Sequence, residues 1–236
     1  MINIRQAQKP NSDYYLEYNE RMFEKIRVNR IIRSLIISDF VLFFALGLLS
    51  PIFAVFILEN IGNRLEVIGY AASCYWITRV VMAVPLSRLM DKLKGELDEY
   101  SFMVIGTFII SIVPLFYIIA SEPWHIYVLQ IVNGLAHSMA VPAWRIIFTN
   151  HVDRKSIGFE WSLEDVGIGT ATAASAAVGA FVADRLGFNV LFGAMSFFGI
   201  ISAFILLVLR KRERPTLKAL LRGELDKAPL KIDTIK

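Results

Sequence analysis

Long apolar runs separated by short polar gaps make up most of this chain. From residue 34 to residue 210 the runs are each about twenty residues long, and the charged residues gather between them and at the two ends. A helix of that length crosses the hydrocarbon core of a bilayer, which is about 30 Å thick. We therefore predict six membrane-spanning helices, over residues 35–57, 65–90, 102–120, 124–149, 163–182 and 190–209.

The same pattern predicts three parts: a cytoplasmic N-terminal segment at 1–33, a six-helix transmembrane domain at 34–210 and a basic cytoplasmic tail at 211–236. In the first span we expect a kink near mid-bilayer, because Gly47 and Pro51 lie there. The fifth span consists mostly of Ala, Gly, Ser and Thr. Small residues let helix backbones approach closely in a membrane, so much of this helix should face protein.

Two sequence marks recur at nearly the same spacing. Asp91 and Asp184, which end the second and fifth spans, are 93 residues apart, and Pro51 and Pro142 are 91 apart. This indicates an internal repeat of about ninety residues. Because each repeat holds three helices, the second would be inverted in the membrane. We predict an all-α membrane protein with six transmembrane helices as two inverted three-helix repeats, which is typical of secondary transporters.

Composition agrees with a membrane protein, since 56% of the residues are hydrophobic and the mean hydropathy is +0.53. The net charge of +4 is explained by topology. With the N-terminus inside, 21 of the 25 Lys and Arg residues are cytoplasmic, and only Arg64 and Arg185 lie outside. Positive residues favour the cytoplasmic side. We therefore predict a multi-pass protein of the cell (inner or plasma) membrane, with both termini cytoplasmic and no nucleic-acid partner.

No catalytic or metal-binding pattern is present in the sequence. It lacks GxSxG, HExxH and a phosphate-binding glycine loop, and Cys74 is its single cysteine. His125 and His137 would lie about 18 Å apart along one helix, too far to share a metal ion. We expect no enzymatic activity, no cofactor and no metal site.

Ionisable residues within the spans are the candidate functional groups. Arg79 lies near the middle of the second span, where a charge costs several kcal/mol and requires a partner or water. We expect it to meet an anionic group of a substrate or an acid from another helix, and a structural ion pair is the alternative. Asp39 and Arg145 should lie at similar depth in the cytoplasmic third, which favours a salt bridge or gate.

Three polar residues of the fourth span, Gln130, Asn133 and His137, are further candidates. For Gln130 and Asn133 the alternative is interhelical hydrogen bonding, worth about 1 kcal/mol or less per bond. For His137 the alternative is a neutral, hydrogen-bonded core histidine.

The order of these motifs resembles one six-helix half of a major facilitator superfamily transporter. Residues 87–95, SRLMDKLKG, are similar to the family's G-x-L-x-D-R-x-G-R/K loop, with Ser87 at its first glycine and the second glycine one residue late. Residues 130–134, QIVNG, are similar to R-x-x-Q-G, with Gln130 in place of the arginine. The family's antiporter pattern G-P-x-x-G-G is absent except for Gly179. Gly179, Asp184, Gly187 and Phe192 match the family's pattern at the connection between the fifth and sixth helices.

This resemblance implies a transporter of a small-molecule substrate that works by alternating access in the lipid bilayer. It places the first and fourth helices on the cavity, so that the lining candidates are Arg79, Asp39, Asn133, His137 and Gln130. It places gating groups at the cytoplasmic ends of the helices, where the candidates are Arg88, Asp91, Lys92 and Arg145.

The resemblance also implies a partner, because the family's cavity lies between two six-helix halves. We expect a homodimer, with the second and fifth helices at the boundary, and a different half-size partner is the alternative. A non-transporting scaffold or assembly partner that keeps the half-fold is the rival function. An intramembrane enzyme is disfavoured by the missing catalytic pattern.

Overall fold

The computed structural model describes residues 28–92 and 96–213, with side chains described for 28–90 and 99–209. Its elements are seven helices: α1 (Arg30–Leu49), α2 (Phe53–Asn60), α3 (Leu65–Lys92), α4 (Glu96–Tyr117), α5 (Pro123–His151), α6 (Ile157–Leu186) and α7 (Phe188–Glu213). All of them except α2 are long and apolar enough to cross a membrane. The prediction of an all-α protein with six spans is therefore confirmed.

The first predicted span is two helices and not one. α1 ends at Leu49, residues 50–52 form a turn, and α2 begins at Phe53. Pro51 has no backbone N–H, so it cannot continue the α-helical hydrogen bonds. Instead, the N–H of Ile52 bonds the carbonyl of Leu49 at 2.9 Å. The kink was predicted at the correct position, but the prediction of one continuous span over residues 35–57 was wrong.

Local chemistry explains where α1 begins and where α6 ends. The side-chain oxygen of Asn29 accepts the N–H of Ile31 at 3.1 Å, a helix-capping interaction. At the end of α6, Gly187 has φ +84, a conformation that favours glycine, and α7 starts at the next residue. α6 begins at Ile157, six residues before the predicted start.

The helix packing relates the first three spans to the last three. α1 packs on α6 and α7, α5 packs on α3 and α4, and α4 packs on α7. If the first three spans exchange places with the last three, the α1–α6 pair becomes the α5–α3 pair. The α4–α5 pair likewise becomes the α7–α1 pair, and the α4–α7 pair is unchanged. This pattern agrees with the predicted repeat.

α3 and α6 are the least covered of the spanning helices. Within the most apolar 18-residue window of each helix, 11% of α3 and 17% of α6 is buried, against 33–50% in the other four. Both helices are nevertheless held by close contacts on one side. A Cβ atom added to Gly134 of α5 would lie 2.6 Å from the carbonyl oxygen of Tyr75 in α3, and Gly179 of α6 lies against the backbone of Leu48.

The small residues of α6 divide into two faces. Ala171, Ser175 and Gly179 are buried, and α6 packs mainly on α1. Ala173 and Ala177 are exposed. The helix therefore has a small-residue surface that its own six-helix unit does not cover.

Candidate functional site

Two neighbouring cavities of the described part of the chain share residues of their lining, since Leu46 of α1 and Ile110 of α4 line both of them. The first has a volume of about 420 Å³ and no aspartate, glutamate, lysine, arginine or histidine in its wall. We refer to it as the uncharged cavity. The second, of about 280 Å³, is lined by Asp39, Arg79, Arg145 and Glu164, and we refer to it as the charged cavity.

The four charged residues of this cavity come from four helices, α1, α3, α5 and α6. Asp39 is buried and Glu164 is half-buried, whereas Arg145 is exposed. Glu164 lies within electrostatic reach of both Asp39 and Arg145. Among the described residues, however, no carboxylate oxygen of Asp39 or Glu164 lies within 4.0 Å of an arginine nitrogen. The predicted Asp39–Arg145 salt bridge is absent, although both residues line one cavity.

Arg79 is held by aromatic side chains of its own helix. Its Nη1 donates a hydrogen bond to the hydroxyl of Tyr75 at 3.0 Å. Its guanidinium carbon lies 5.1 Å from the ring centroid of Trp76 and 5.9 Å from that of Tyr75, within cation–π range. No acid of the described residues pairs with Arg79. A guanidinium has five N–H donors, so most of them remain free to meet a ligand.

His137 of α5 contacts Tyr75, the α3 residue that bonds Arg79. Its Nδ1 lies 2.9 Å from the carbonyl oxygen of Asn133, one turn back on the same helix. Its ring meets the ring of Tyr75 edge-on, with centroids 5.4 Å apart. The Ser138 hydroxyl also bonds the carbonyl oxygen of Arg79 at 3.2 Å. α3 and α5 are therefore joined by polar contacts around Arg79.

Gln130 and Asn133 line the uncharged cavity and not the charged one. The Gln130 amide donates to the hydroxyl of Tyr117 in α4 at 3.4 Å, an interhelical contact of the kind expected as the alternative to substrate binding. The side-chain oxygen of Asn133 is buried and has no hydrogen-bond partner within the part of the chain that the structure describes. Asn133 is therefore the more available of the two for a solute.

Aromatic residues of α5 and α6 form one wall of the charged cavity. The rings of Trp144 and Phe148 stack with centroids 4.7 Å apart, and the ring of Trp161 lies 4.5 Å from that of Phe148. Trp144 and Trp161 line the cavity itself. The indole nitrogen of Trp144 is buried and lacks a hydrogen-bond partner among the described residues.

The remaining gating candidates lie apart from both cavities or outside the described side chains. Arg88 is exposed near the end of α3 and lines neither cavity. Asp91 and Lys92 belong to α3 by their backbone, but their side chains lie outside the described part. Their proposed latching role stays a prediction.

Sequence reasoning missed Glu164 as a cavity residue. The predicted fifth span begins at residue 163, which would put Glu164 at its edge. α6 instead begins at Ile157, so Glu164 lies about two turns into the helix. The sequence did contain a signal for the earlier helix start, because Ser156 is a polar residue typical of a helix N-terminus and the acid Glu160 follows in the first turn. Glu160 is fully buried and accepts the Ser156 hydroxyl at 3.2 Å, so it serves the helix start.

Comparison with known proteins gives consistent matches. The profile of the Major Facilitator Superfamily matches residues 35–234. The chain is similar to Multidrug resistance protein MdtG of Salmonella arizonae and of Salmonella schwarzengrund, with 23% identity over 206 residues in each case. Each match covers 84% of this chain and 50% of the relative. The chain thus spans about half the length of the curated relatives it matches.

Proposed function

Since this chain belongs to the Major Facilitator Superfamily, we propose that it moves a small solute across the membrane by alternating access. In this proposal the chain supplies one of two six-helix units that enclose the solute. Transport, and not enzymatic catalysis, is the role, in line with the relatives named for multidrug resistance. We further propose that both termini lie in the cytoplasm of a cell whose inner or plasma membrane holds the protein.

One observation carries the transport proposal. Four side chains with formal charges, from four spanning helices, face a single cavity and form no ion pair with one another in the described part of the chain. Charges within a membrane span are expensive and usually mark a substrate or ion pathway. A scaffold protein would gain nothing from keeping them unpaired beside a cavity. The charged cavity is therefore the proposed binding site, with Arg79 and Asp39 in contact with solute.

The two cavities suggest how access alternates. Leu46 and Ile110 line both, so these two apolar side chains lie where the charged and uncharged cavities meet. We propose that solute reaches the site from one side of this constriction at a time. On the predicted topology, the charged cavity lies toward the cytoplasm and the uncharged cavity toward the outside.

Cysteine labelling tests alternating access directly. In a Cys74→Ala background, Ser50→Cys reports on the uncharged cavity and Val141→Cys on the charged one. With an impermeant maleimide, we expect Ser50→Cys to react from outside and Val141→Cys from the cytoplasmic side. A transported compound, sought first among antimicrobials because of the relatives' names, should change the two rates in opposite directions.

Two other results would argue against this function. If both cysteines react from both sides at rates that rise together, the pathway is a continuous channel. If neither cysteine reacts in a folded protein and no compound is moved, the cavities are closed. A non-transporting scaffold that keeps the half-fold would then be the better account.

We also propose that a second copy of the chain supplies the partner unit. The support is the pair of weakly covered helices, α3 and α6, and the exposed small residues Ala173 and Ala177 of α6. A symmetric pair of identical units is the commonest oligomeric arrangement, and small residues permit the close helix approach that a membrane interface needs.

A larger side chain at the exposed small-residue face of α6 tests the homodimer. Ala173→Leu should convert the dimer to single units in detergent or nanodiscs, measured by light scattering. Gly193→Leu is the matched control, because a Cβ at Gly193 of α7 meets only open space. The control should remain dimeric. A wild-type chain that runs as a single unit at all concentrations, yet transports, would refute the proposal.

A further inference from the structure

The charges of the charged cavity are arranged as a dipole. Asp39 lies nine residues and Glu164 seven residues from the ends of their helices at Arg30 and Ile157. At about 1.5 Å per residue, these carboxylates are about 14 and 10 Å from that side of the bundle. Arg79 lies 13 residues from Lys92 at the end of α3, or about 20 Å from the same side. The acids are thus shallower than Arg79 by about 6–10 Å.

Arg145 adds a positive charge to the shallow level and brings the formal charge of the cavity to zero. It lies six residues from His151, about 9 Å from the same side, and is within reach of Glu164. The shallow level therefore holds two carboxylates and one guanidinium, a net single negative charge. The deeper level holds the single positive charge of Arg79. The cavity as a whole is neutral but strongly polar.

Arg79 is held by aromatic residues of its own helix and not by the acids. The Tyr75 hydroxyl bonds its Nη1, and Trp76 lies beneath its guanidinium. These contacts satisfy one donor and leave the positive charge without a carboxylate in the described structure. A charge within a membrane span that lacks a counter-charge is costly, even where it is only half-buried. The deeper level is consequently suited to an anionic group of a ligand.

The space between the two levels is apolar and aromatic. Leu42, Phe43 and Ala140 line it, at about 16–20 Å from the same side of the bundle. Trp144 lines the cavity at the level of the acids, about 10 Å from that side. Trp144 is only 8% exposed, and its indole N–H has no partner among the described residues, so it is available to a hydrogen-bond acceptor. A ligand body that is apolar, with a carbonyl or carboxylate oxygen near one end, would satisfy these groups.

We propose that the charged cavity binds a small zwitterion with an apolar body. Its cationic group would lie between Asp39 and Glu164, and its anionic group would meet Arg79. A cation alone would leave Arg79 without a counter-charge, and an anion alone would leave the net negative charge of the shallow level without one. A zwitterion satisfies both levels and adds no net charge to the membrane interior. This inference rests on the proposed transport function and narrows its substrate class.

Three probes with a similar phenylalkyl body test the proposal: phenylalanine carries both charges, phenethylamine only the positive one and 3-phenylpropionate only the negative one. Binding to the wild-type protein in nanodiscs would be measured by calorimetry and by tryptophan fluorescence, since Trp144 and Trp161 line the site. We expect phenylalanine to bind at least about tenfold more tightly than either singly charged probe. Equal or tighter binding of phenethylamine or 3-phenylpropionate would overturn the proposal, as would no binding of phenylalanine.

Two near-isosteric variants test which charged group of the ligand each residue contacts. Asp39→Asn should weaken phenylalanine and phenethylamine by about tenfold, the lower range for a charged hydrogen bond, and leave 3-phenylpropionate unchanged. Arg79→Gln should weaken phenylalanine and 3-phenylpropionate and leave phenethylamine unchanged. Arg185→Gln, at the exposed end of α6 and away from both cavities, is the control and should alter none of the three. This crossed pattern cannot come from misfolding, because each variant keeps its affinity for one probe; uniform losses would contradict the assignment.

The zwitterion proposal and the transport proposal fail separately. If phenylalanine has no advantage but the Ser50→Cys and Val141→Cys rates still move in opposite directions, transport stands and the substrate class is wrong. If phenylalanine binds selectively but both rates stay fixed, the site is a binding site without alternating access.

Discussion

The close contact between α5 and α3 gives a quantitative prediction that does not depend on the substrate. Gly134 of α5 touches α3 so closely that an added Cβ would lie 2.6 Å from the carbonyl oxygen of Tyr75 and 3.1 Å from the Cβ of Thr78. The nearest atom belongs to the backbone and cannot rotate away. Gly134→Ala must therefore push α3 outward from α5, its main neighbour.

The magnitude follows from a matched comparison. Overpacking by one or a few carbon atoms costs about 1–3 kcal/mol when the surroundings cannot yield. Alanine also favours helix over glycine by about 0.5–1 kcal/mol, which acts in the opposite direction. Gly193→Ala on α7 receives the same helix benefit but meets open space. The difference between the two variants should therefore be about 1–3 kcal/mol, with Gly134→Ala the less stable.

Reversible unfolding in mixed micelles, followed by circular dichroism, would measure this difference. The displacement should also reach Arg79, because the Ser138 hydroxyl bonds the Arg79 carbonyl at 3.2 Å across the same contact. A cysteine pair across α3 and α5 should crosslink more slowly in Gly134→Ala. If Gly134→Ala and Gly193→Ala are equally stable and crosslink alike, the close approach described here is incorrect.

Three further predictions concern charge and topology. Arg79→Gln should abolish transport in a folded protein, while Arg79→Lys should keep part of it, because lysine retains the charge without the planar fork; unchanged uptake in Arg79→Gln would reduce Arg79 to packing. In a background without the native cysteine, cysteines at Asn63 and Glu122 should react with an impermeant maleimide in intact cells, and a cysteine at Ser156 should not; the reverse pattern would invert the topology. Asp91→Asn should change the accessibility of the cavity from the cytoplasm, measured by cysteine labelling, without lowering Tm. One charge pair at the membrane–water boundary contributes only about 0–1 kcal/mol, but this can shift a balanced equilibrium between two conformations. Equal labelling in both proteins would refute a gating role for Asp91.

The spans and their order could be predicted from the sequence because hydropathy depends on single residues. The break at Pro51 was foreseen as a kink for the same reason, since the missing N–H is a property of proline itself. Whether the helix bends or stops depends on the packing of α2, where Phe56 meets Phe192 with ring centroids 4.8 Å apart. That contact joins residues far apart in the chain and leaves no local sequence signal.

The candidate site was only partly predictable. Arg79 and Asp39 stood out because a charge is rare within an apolar run, and both line the charged cavity. The sequence could not predict that Asn133 and His137 line different cavities, because residues four apart share a helix face. Nor could the missing Asp39–Arg145 contact be read, since similar depth says nothing about distance across the bundle.

The turn at residues 50–52 has a mechanical consequence for the first span. Bending a continuous helix breaks or stretches its hydrogen bonds, but here the chain has already given up regular bonding at Pro51. The angle between α1 and α2 is therefore restrained by side chains, chiefly Phe56 against Tyr117 and Phe192, with ring centroids 6.0 and 4.8 Å apart. A change in the angle of α2 would therefore require its buried aromatic residues to repack, and it would alter the uncharged cavity that Ser50 and Phe53 line.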